Sequence, residues 1–192
     1  MSPVIRILGL GNVLMGDDGA GPYVIQVLEA GHVLPEGVAT LDLGTPGLDL
    51  VPYLAGVDVL ILVDTVRTGG QPGAVRTWTR DQLLQHAPQP RLSPHDPGVK
   101  ETLMTLDLAG LGPREVVLVG VVPDRIGPGP GLSDAVRNAV PLMIERVLSC
   151  LEERGHVASP RLPFAPPDIW WERPAAAVPG ARRRSMDPAC TN

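Results

Sequence analysis

Hydrophobic residues fall along this chain in two alternating patterns. Short, nearly continuous runs of β-branched residues and leucine, typical of strands buried on both faces, alternate with longer stretches that show helical spacing. This alternation predicts a parallel sheet with helices on both faces. The predicted strands are residues 4–10, 39–43, 58–66, 74–80 and 115–122, and the predicted helices are residues 20–31, 47–55, 97–109 and 133–154.

The fourth predicted strand is connected differently from the others. It follows the link "RTGGQPG" (67–73), which is too short for the helical crossover that joins parallel strands. We therefore expect residues 74–80 to form an antiparallel strand at one edge of the sheet. The predicted fold class is α/β, with a three-layer, doubly wound, mostly parallel five-stranded sheet.

A change in composition near residue 156 divides the chain. Residues 1–156 contain all the predicted elements and are long enough to enclose one buried core, which predicts a single domain. Residues 157–192 are rich in proline, alanine and arginine and show no periodicity, so we predict a flexible C-terminal tail. Trp170 and Trp171 are its expected anchor, and a tail without any function is the alternative.

The charge and the cysteines of the chain limit its partners. The formal net charge is −5, and the first 150 residues contain no stripe rich in lysine or arginine, which argues against nucleic-acid binding. No apolar run approaches the ~18 residues of a transmembrane helix, so we expect no membrane association. Cys150 and Cys190 predict neither a disulfide framework nor a metal knuckle, which favours a cytoplasmic protein.

A glycine-rich loop follows the first predicted strand. The segment "GLGN" (9–12) lies where a dinucleotide-binding fingerprint would begin. Leu14 stands where the third glycine would be, and Asp17 and Asp18 follow in the region that a pyrophosphate would occupy. Two carboxylates there would repel a phosphate group, and the chain has no P-loop motif. A nucleotide site is therefore disfavoured.

Three side chains that can bind metal are expected at the same edge of the predicted sheet. Two of them lie at or after the ends of predicted strands, and the third precedes a helix. Asp18 lies in the loop after the first strand, Asp64 ends the apolar run "VLILVD", and His95 lies in "RLSPHDPG" before a helix. In open α/β sheets the functional crevice lies beyond the carboxyl ends of the strands. Two carboxylates and one imidazole suit a divalent transition ion and leave coordination positions open.

Each of these residues also has a structural interpretation. Asp17 or Asp18, and mainly Asp17, could cap the helix that begins near Gly19. Asp64 could accept hydrogen bonds from loop amides, and His95 could be an exposed loop residue. The segment "SPHD" (93–96) suggests a serine hydrolase, but residues this close in sequence rarely form a relay, and no GxSxG elbow occurs.

Five motifs in this chain together resemble those of the [NiFe]-hydrogenase maturation endopeptidases, over about residues 4–155. They are "GLGNVLMGDDGAG" (9–21), "LDLGTPGLDL" (41–50), "LILVDTV" (60–66), "SPHDPG" (93–98) and "LVGVVPD" (118–124). The resemblance implies an endopeptidase that removes a C-terminal extension from a hydrogenase large-subunit precursor after nickel insertion. It also implies that Ni²⁺ arrives in the substrate, so the purified protease need not carry it.

The resemblance assigns roles to four residues of this chain. The metal-contacting positions of the family correspond to Asp18, Asp64 and His95, with Asp18 where many members carry glutamate. Asp42, followed by "GTPG", matches a motif suggested to help present or cleave the peptide, so the expected catalytic set is Asp18, Asp42, Asp64 and His95. The alternatives are a non-catalytic metal- or nucleotide-sensing module on the same fold and a metallohydrolase with tightly held zinc.

Overall fold

The computed structural model describes residues 3–45, 50–85 and 96–173 of the chain. The strands are β1 (Ile5–Leu10), β2 (His32–Val33), β3 (Val38–Gly44), β4 (Val59–Thr65), β5 (Val75–Thr79), β6 (Glu115–Val121) and β7 (Ser159–Pro160). The α-helices are α1 (Ala20–Gly31), α2 (Val51–Leu54), α3 (Arg80–Gln85), α4 (Asp96–Leu108) and α5 (Asp134–Glu152), and two 3-10 turns cover Asp17–Gly19 and Trp170–Glu172. Within these ranges no helix combines the length and the apolar character needed to cross a bilayer.

Five strands form the central sheet in the order β3-β1-β4-β6-β5. All neighbouring pairs are parallel except β5 and β6, so β5 is the antiparallel edge strand that its short connection predicted. Gly9 of β1 lies between Asp42 of β3 and Val63 of β4 in the register of the sheet. The predicted α/β fold class is therefore confirmed.

Two hydrophobic clusters cover the two faces of this sheet, because alternate side chains of each strand point to opposite faces. One cluster joins Ile7, Ile61 and Val119 of the sheet to the buried sides of α1 and α5. The other joins Leu8, Leu62 and Leu118 to residues of α2, α3 and α4. The strands are apolar on both faces since helices cover both, which gives three layers.

Three elements differ from the sequence-based prediction. The strand predicted to reach residue 80 ends at Thr79, where the six-residue α3 begins, and so short a helix shows little periodicity. The helix predicted for residues 47–55 is described only as Val51–Leu54, because residues 46–49 lie outside the described part. The two-residue strands β2 and β7 pair across more than a hundred residues of chain, which no local pattern indicates.

Residues 157–173 pack against the domain, in contrast to the flexible tail that the sequence predicted. Strand β7 pairs with β2, and the guanidinium of Arg161 donates to the carbonyl oxygens of Glu29 (2.9 Å) and His32 (3.3 Å) at the end of α1. Trp171 is buried. Residues 174–192, which include Cys190, lie outside the described part, and the domain boundary near residue 156 stays a prediction.

Gly21 allows the first turn of α1 to pack directly on the ends of β1 and β4. A Cβ atom at this position would overlap the carbonyl oxygens of Leu10 and Val63. We expect Gly21→Ala to lower the free energy of unfolding by about 3 kcal/mol or more, because neither backbone oxygen can move without shifting its strand. Urea denaturation followed by circular dichroism measures this change.

Gly31→Ala is the matched control, at the other end of the same helix. A Cβ atom there would contact only a side-chain carbon of Phe164, at 3.7 Å. Alanine favours helix over glycine by up to about 1 kcal/mol, so this variant should be as stable as the wild type or slightly more stable. Equal effects of the two substitutions would contradict the proposed packing at Gly21.

Candidate active site at the carboxyl edge of the sheet

The chain reverses its direction of winding at β1. After β1 it passes through α1 to β3 on one side, and from β3 it returns to β4 on the other side of β1. The helices that leave two such neighbouring strands lie on opposite faces, which opens a crevice beyond their carboxyl ends. Asp18 follows β1, and Asp64 is the penultimate residue of β4. Both predicted carboxylates therefore flank this crevice.

Asp18 is held inside the loop between β1 and α1. Its side chain is only 6% exposed, and its Oδ2 accepts a hydrogen bond from the backbone N–H of Asn12 at 2.9 Å. The 3-10 turn that contains Asp18 contacts β4, the strand that carries Asp64. The Asp18 carboxylate thus stabilises the loop between β1 and α1, and this loop lies next to the end of β4, which carries Asp64.

Asp64 is 1% exposed, and its Oδ1 accepts a hydrogen bond from the backbone N–H of Thr65 at 2.7 Å. The donor is the last residue of β4, so this is a local bond at the end of the strand, whereas the structural interpretation expected bonds from loop amides. Strand alternation places Asp64 on the same face as Leu60 and Leu62, which pack in the cluster that includes α4. A buried carboxylate is costly unless it is hydrogen-bonded, paired or bound to a cation.

His95, the third predicted metal ligand, lies outside the described residues and directly precedes α4. Helix α4 packs by Val99 and Leu103 into the cluster on the Asp64 face of the sheet. Within residues 3–45, 50–85 and 96–173, no group of three or more histidine, cysteine, aspartate or glutamate side chains could hold a metal ion. A three-residue site therefore depends on His95, whose part in it stays a prediction.

Asp42 occupies the carboxyl end of the edge strand β3, on the other side of β1 from Asp64. Its Oδ1 accepts a hydrogen bond from the backbone N–H of Gly44 at 3.1 Å, where the pairing register of β1 and β3 shifts. The residue is exposed, yet partial loss of water around the carboxyl raises its pKa above the ordinary aspartate value. The Gly44 bond opposes this shift, and the negative charge of Glu29 adds to it.

A cavity of about 260 Å³ opens beside Asp42. Three segments line it: the loop after β1, the end of β3 and the C-terminal 3-10 turn. The lining residues are Gly11, Asn12, Val13, Asp42, Gly44, Thr45, Trp170 and Trp171. The sequence indicated Trp170 and Trp171 as an anchor of the tail, but no pattern placed them next to Asp42.

Asp17 does not cap α1, so that prediction is wrong. The N-cap of α1 is Gly19, without a side-chain hydrogen bond, because Asp17 begins the 3-10 turn that precedes the helix. The buried Asp17 carboxylate instead accepts bonds from the backbone N–H groups of Asp124 and Arg125 (2.9 Å each) and from the N–H (2.6 Å) and hydroxyl (2.9 Å) of Ser133. It joins the loop after β1 to the loop after β6.

Cys150 takes no part in this edge of the sheet. It lies on the buried side of α5, and burial raises the pKa of its thiol. The end of α5 lies at the opposite edge, since the guanidinium of Arg154 pairs with the carboxylate of Glu115 at the start of β6 (2.8 Å). Cys150 is therefore a core residue.

The chain is similar to known proteases over most of its length. Residues 22–150 match the model of the hydrogenase maturation protease family. The chain is 33% identical to the hydrogenase 2 maturation protease of Escherichia coli (strain K12), over 82% of this chain and 96% of that protein. It is 35% identical to the hydrogenase expression/formation protein HupM of Azotobacter chroococcum mcd 1, over 83% of this chain and 77% of that protein.

Similarity extends to solved structures. The hydrogenase-maturating endopeptidase HybD from E. coli superposes with a TM-score of 0.75 at 33% identity, and the match covers 82% of this chain and 97% of that chain.

The Asp17 bonds should make a large contribution to stability. In Asp17→Asn the side chain keeps its shape but loses its charge and one acceptor oxygen, so buried N–H donors are left without an acceptor. We expect the free energy of unfolding to fall by about 2–4 kcal/mol in urea denaturation. Asp124→Asn makes the same chemical change at an exposed side chain of the same loop and should change it by less than about 0.5 kcal/mol. Equal losses would disprove this role of Asp17.

The raised pKa of Asp42 predicts a pH-dependent effect on stability. A pKa that is higher in the folded chain than in the unfolded chain favours the folded state at acidic pH, and this contribution is lost as the pH rises through the raised value. Asp42→Asn cannot ionise and can still accept the Gly44 bond. At a pH below the range in which aspartate ordinarily titrates, the melting temperature of the variant should therefore equal that of the wild type. At pH 7 it should be equal or slightly higher. If Asp42→Asn were less stable than the wild type only at pH 7, the predicted sign of the effect of Asp42 ionisation on stability would be contradicted.

Proposed function

Because the chain belongs to the hydrogenase maturation protease family and is an endopeptidase, we propose that it removes the C-terminal extension of a [NiFe]-hydrogenase large-subunit precursor after nickel has been inserted. Because the chain belongs to a family of proteases, the alternative of a non-catalytic metal- or nucleotide-sensing module no longer applies. The substrate in this proposal is the folded precursor with its metal, and the product is the shortened large subunit.

The observation that carries this proposal is the pair of buried carboxylates at the winding reversal. Asp18 and Asp64 are 6% and 1% exposed; Asp18 follows β1 and Asp64 lies near the end of the neighbouring strand β4, so two carboxyl groups are held in one crevice with little water. A divalent cation placed between them offsets the cost of burying that charge. His95 is the proposed third ligand, and its imidazole suits nickel.

Three protein ligands leave coordination positions for groups of the substrate. We propose that the precursor presents its nickel ion to Asp18, Asp64 and His95, so that binding of the ion aligns the precursor in the crevice. A precursor without nickel offers these carboxylates no cation to bind. The ion therefore acts as a signal that metal insertion is complete. In this scheme nickel belongs to the substrate, and the protease needs no resident metal.

Asp42 is the proposed base of the hydrolysis. A carboxylate whose pKa is raised holds a proton more strongly and is a more effective general base near neutral pH. In the proposed step, Asp42 accepts a proton from a water molecule while the oxygen of that water attacks the scissile carbonyl. The proton then passes to the amine of the leaving peptide as the C–N bond breaks. The described residues place no cysteine at this edge, since Cys150 is in the core.

A cytoplasmic location is part of this proposal. The buried Cys150 is a free thiol, as expected for a protein of a reducing compartment.

The proposal predicts loss of cleavage without loss of fold when the metal-facing side chains change. We expect wild-type protein to shorten nickel-loaded precursor and to leave nickel-free precursor intact. Asp64→Asn and His95→Ala should reduce the rate by at least about 1,000-fold, because each removes a ligand to the ion that aligns the substrate. Mass spectrometry of the precursor C-terminus measures the reaction, and circular dichroism measures the fold.

Matched controls distinguish the effect of changing the site from the general effect of losing a charged or ionisable side chain. Asp81→Asn repeats the loss of a carboxylate at an exposed position in α3, and His156→Ala repeats the loss of an imidazole after α5; both residues lie near the opposite edge of the sheet. Both variants should cleave at the wild-type rate. Full cleavage by His95→Ala, or equal cleavage of nickel-free precursor, would refute the proposal. Stoichiometric zinc in the purified active protein would favour the metallohydrolase alternative.

A further inference from the structure

The C-terminal segment reaches the candidate active site. After β7 the chain runs back along the domain and ends its described part in the 3-10 turn Trp170–Glu172. Trp170 and Trp171 of this turn line the same cavity as Asp42. Their rings lie edge to face, with centroids 5.6 Å apart and an interplanar angle of 89°. A segment outside the predicted domain therefore supplies one wall of the cavity.

The turn is fastened to the domain by an ion pair and a ring contact. The carboxylate of Glu172 pairs with the guanidinium of Arg137 on α5 at 2.6 Å. The same guanidinium donates to the hydroxyl of Tyr23 on α1 (2.7 Å) and stacks over its ring at 5.2 Å. One arginine thus joins the turn to both helices of this face, which fixes the position of the two indoles.

The two tryptophans are exposed to very different extents. Trp171 is 6% exposed and packs as part of the domain, whereas Trp170 is 58% exposed. An indole left in water at a cavity wall retains most of its apolar surface for a ligand. Aromatic side chains in such positions are common anchors of peptide and protein interfaces.

The segment borders the cavity and does not fill it. With the turn in place the cavity still measures about 260 Å³ and Asp42 is still exposed. This volume is close to the ~300 Å³ at the lower end of known ligand pockets. The remaining space suits a side chain of an extended peptide, with Val13 and the indoles as apolar walls and Asn12 and Asp42 as polar groups.

We infer that Trp170 is a specificity-determining residue, which binds an apolar side chain of the precursor's C-terminal segment beside Asp42. This inference rests on the proposed function. Nickel then fixes the precursor at the crevice between β1 and β4, and the indole fixes the peptide at the end of β3. Because Trp170 contacts substrate before and during the reaction alike, its loss weakens binding and leaves the chemical step unchanged.

Steady-state cleavage of nickel-loaded precursor by Trp170→Ala tests this inference. We expect KM to rise about fivefold with kcat within about twofold of wild type, since a single aromatic contact is worth this much in binding. Trp170→Phe, which keeps an aromatic face, should recover most of the wild-type KM. Phe164→Ala is the matched control, because Phe164 is a 64% exposed aromatic of the same segment that does not line the cavity. Its kinetics should equal those of the wild type.

Each other outcome overturns the inference in a distinct way. An unchanged KM in Trp170→Ala means that the substrate does not contact the indole, and a raised kcat/KM means that the segment obstructs the site. A shared rise in KM for Trp170→Ala and Phe164→Ala means a general effect of the segment. Absence of cleavage by the wild type contradicts the proposed function itself, whereas normal wild-type cleavage with any of the preceding results overturns only the inference about Trp170.

Discussion

The arrangement of the site depends on one buried carboxylate that contacts no substrate in the proposed scheme. Asp17 accepts four hydrogen bonds from residues that lie more than a hundred positions further along the chain. Ser133, one of these donors, is also the N-cap of α5 and accepts a bond from Val136. The loop after β1, the loop after β6 and the start of α5 are thereby tied together. Asp18 follows Asp17 directly, so the same bonds fix the direction in which Asp18 enters the crevice.

The two adjacent acids therefore have separate functions, which explains why the loop resembles a nucleotide-binding loop only in part. Gly9 and Gly21 allow the close approach of β1 and α1 that such loops also need, because a Cβ at either position would meet backbone of the other element. The space that a phosphate would fill is taken by carboxylates. Asp17 uses its charge to hold the protein's own N–H groups, and Asp18 is left to face the crevice together with Asp64.

Local patterns predicted the parts of this molecule that local forces determine. The five strands of the sheet, the edge strand β5 and the positions of Asp18, Asp42 and Asp64 at strand ends follow from hydrophobic runs and connection lengths. The bonds of Asp17, the pairing of β2 with β7 and the burial of Trp171 depend on contacts between distant residues, which a single sequence does not encode in any short pattern. Asp17 looked like a helix cap because its spacing fitted one, and the 3-10 turn changed its partners.

The proposed active site has two parts that recognise the substrate through different interactions, and these two parts determine different aspects of its specificity. In the proposed scheme, the crevice of Asp18 and Asp64 responds to the charge of the metal, so it distinguishes precursors with nickel from those without it and does not recognise the peptide sequence. The cavity beside Asp42 combines apolar walls with one carboxylate, and in the proposed scheme it binds a side chain near the scissile bond. A protease with only the first element would cleave any nickel-bearing precursor. The Trp170–Glu172 turn lies outside residues 22–150, which match the family model, and it supplies one wall of the second element.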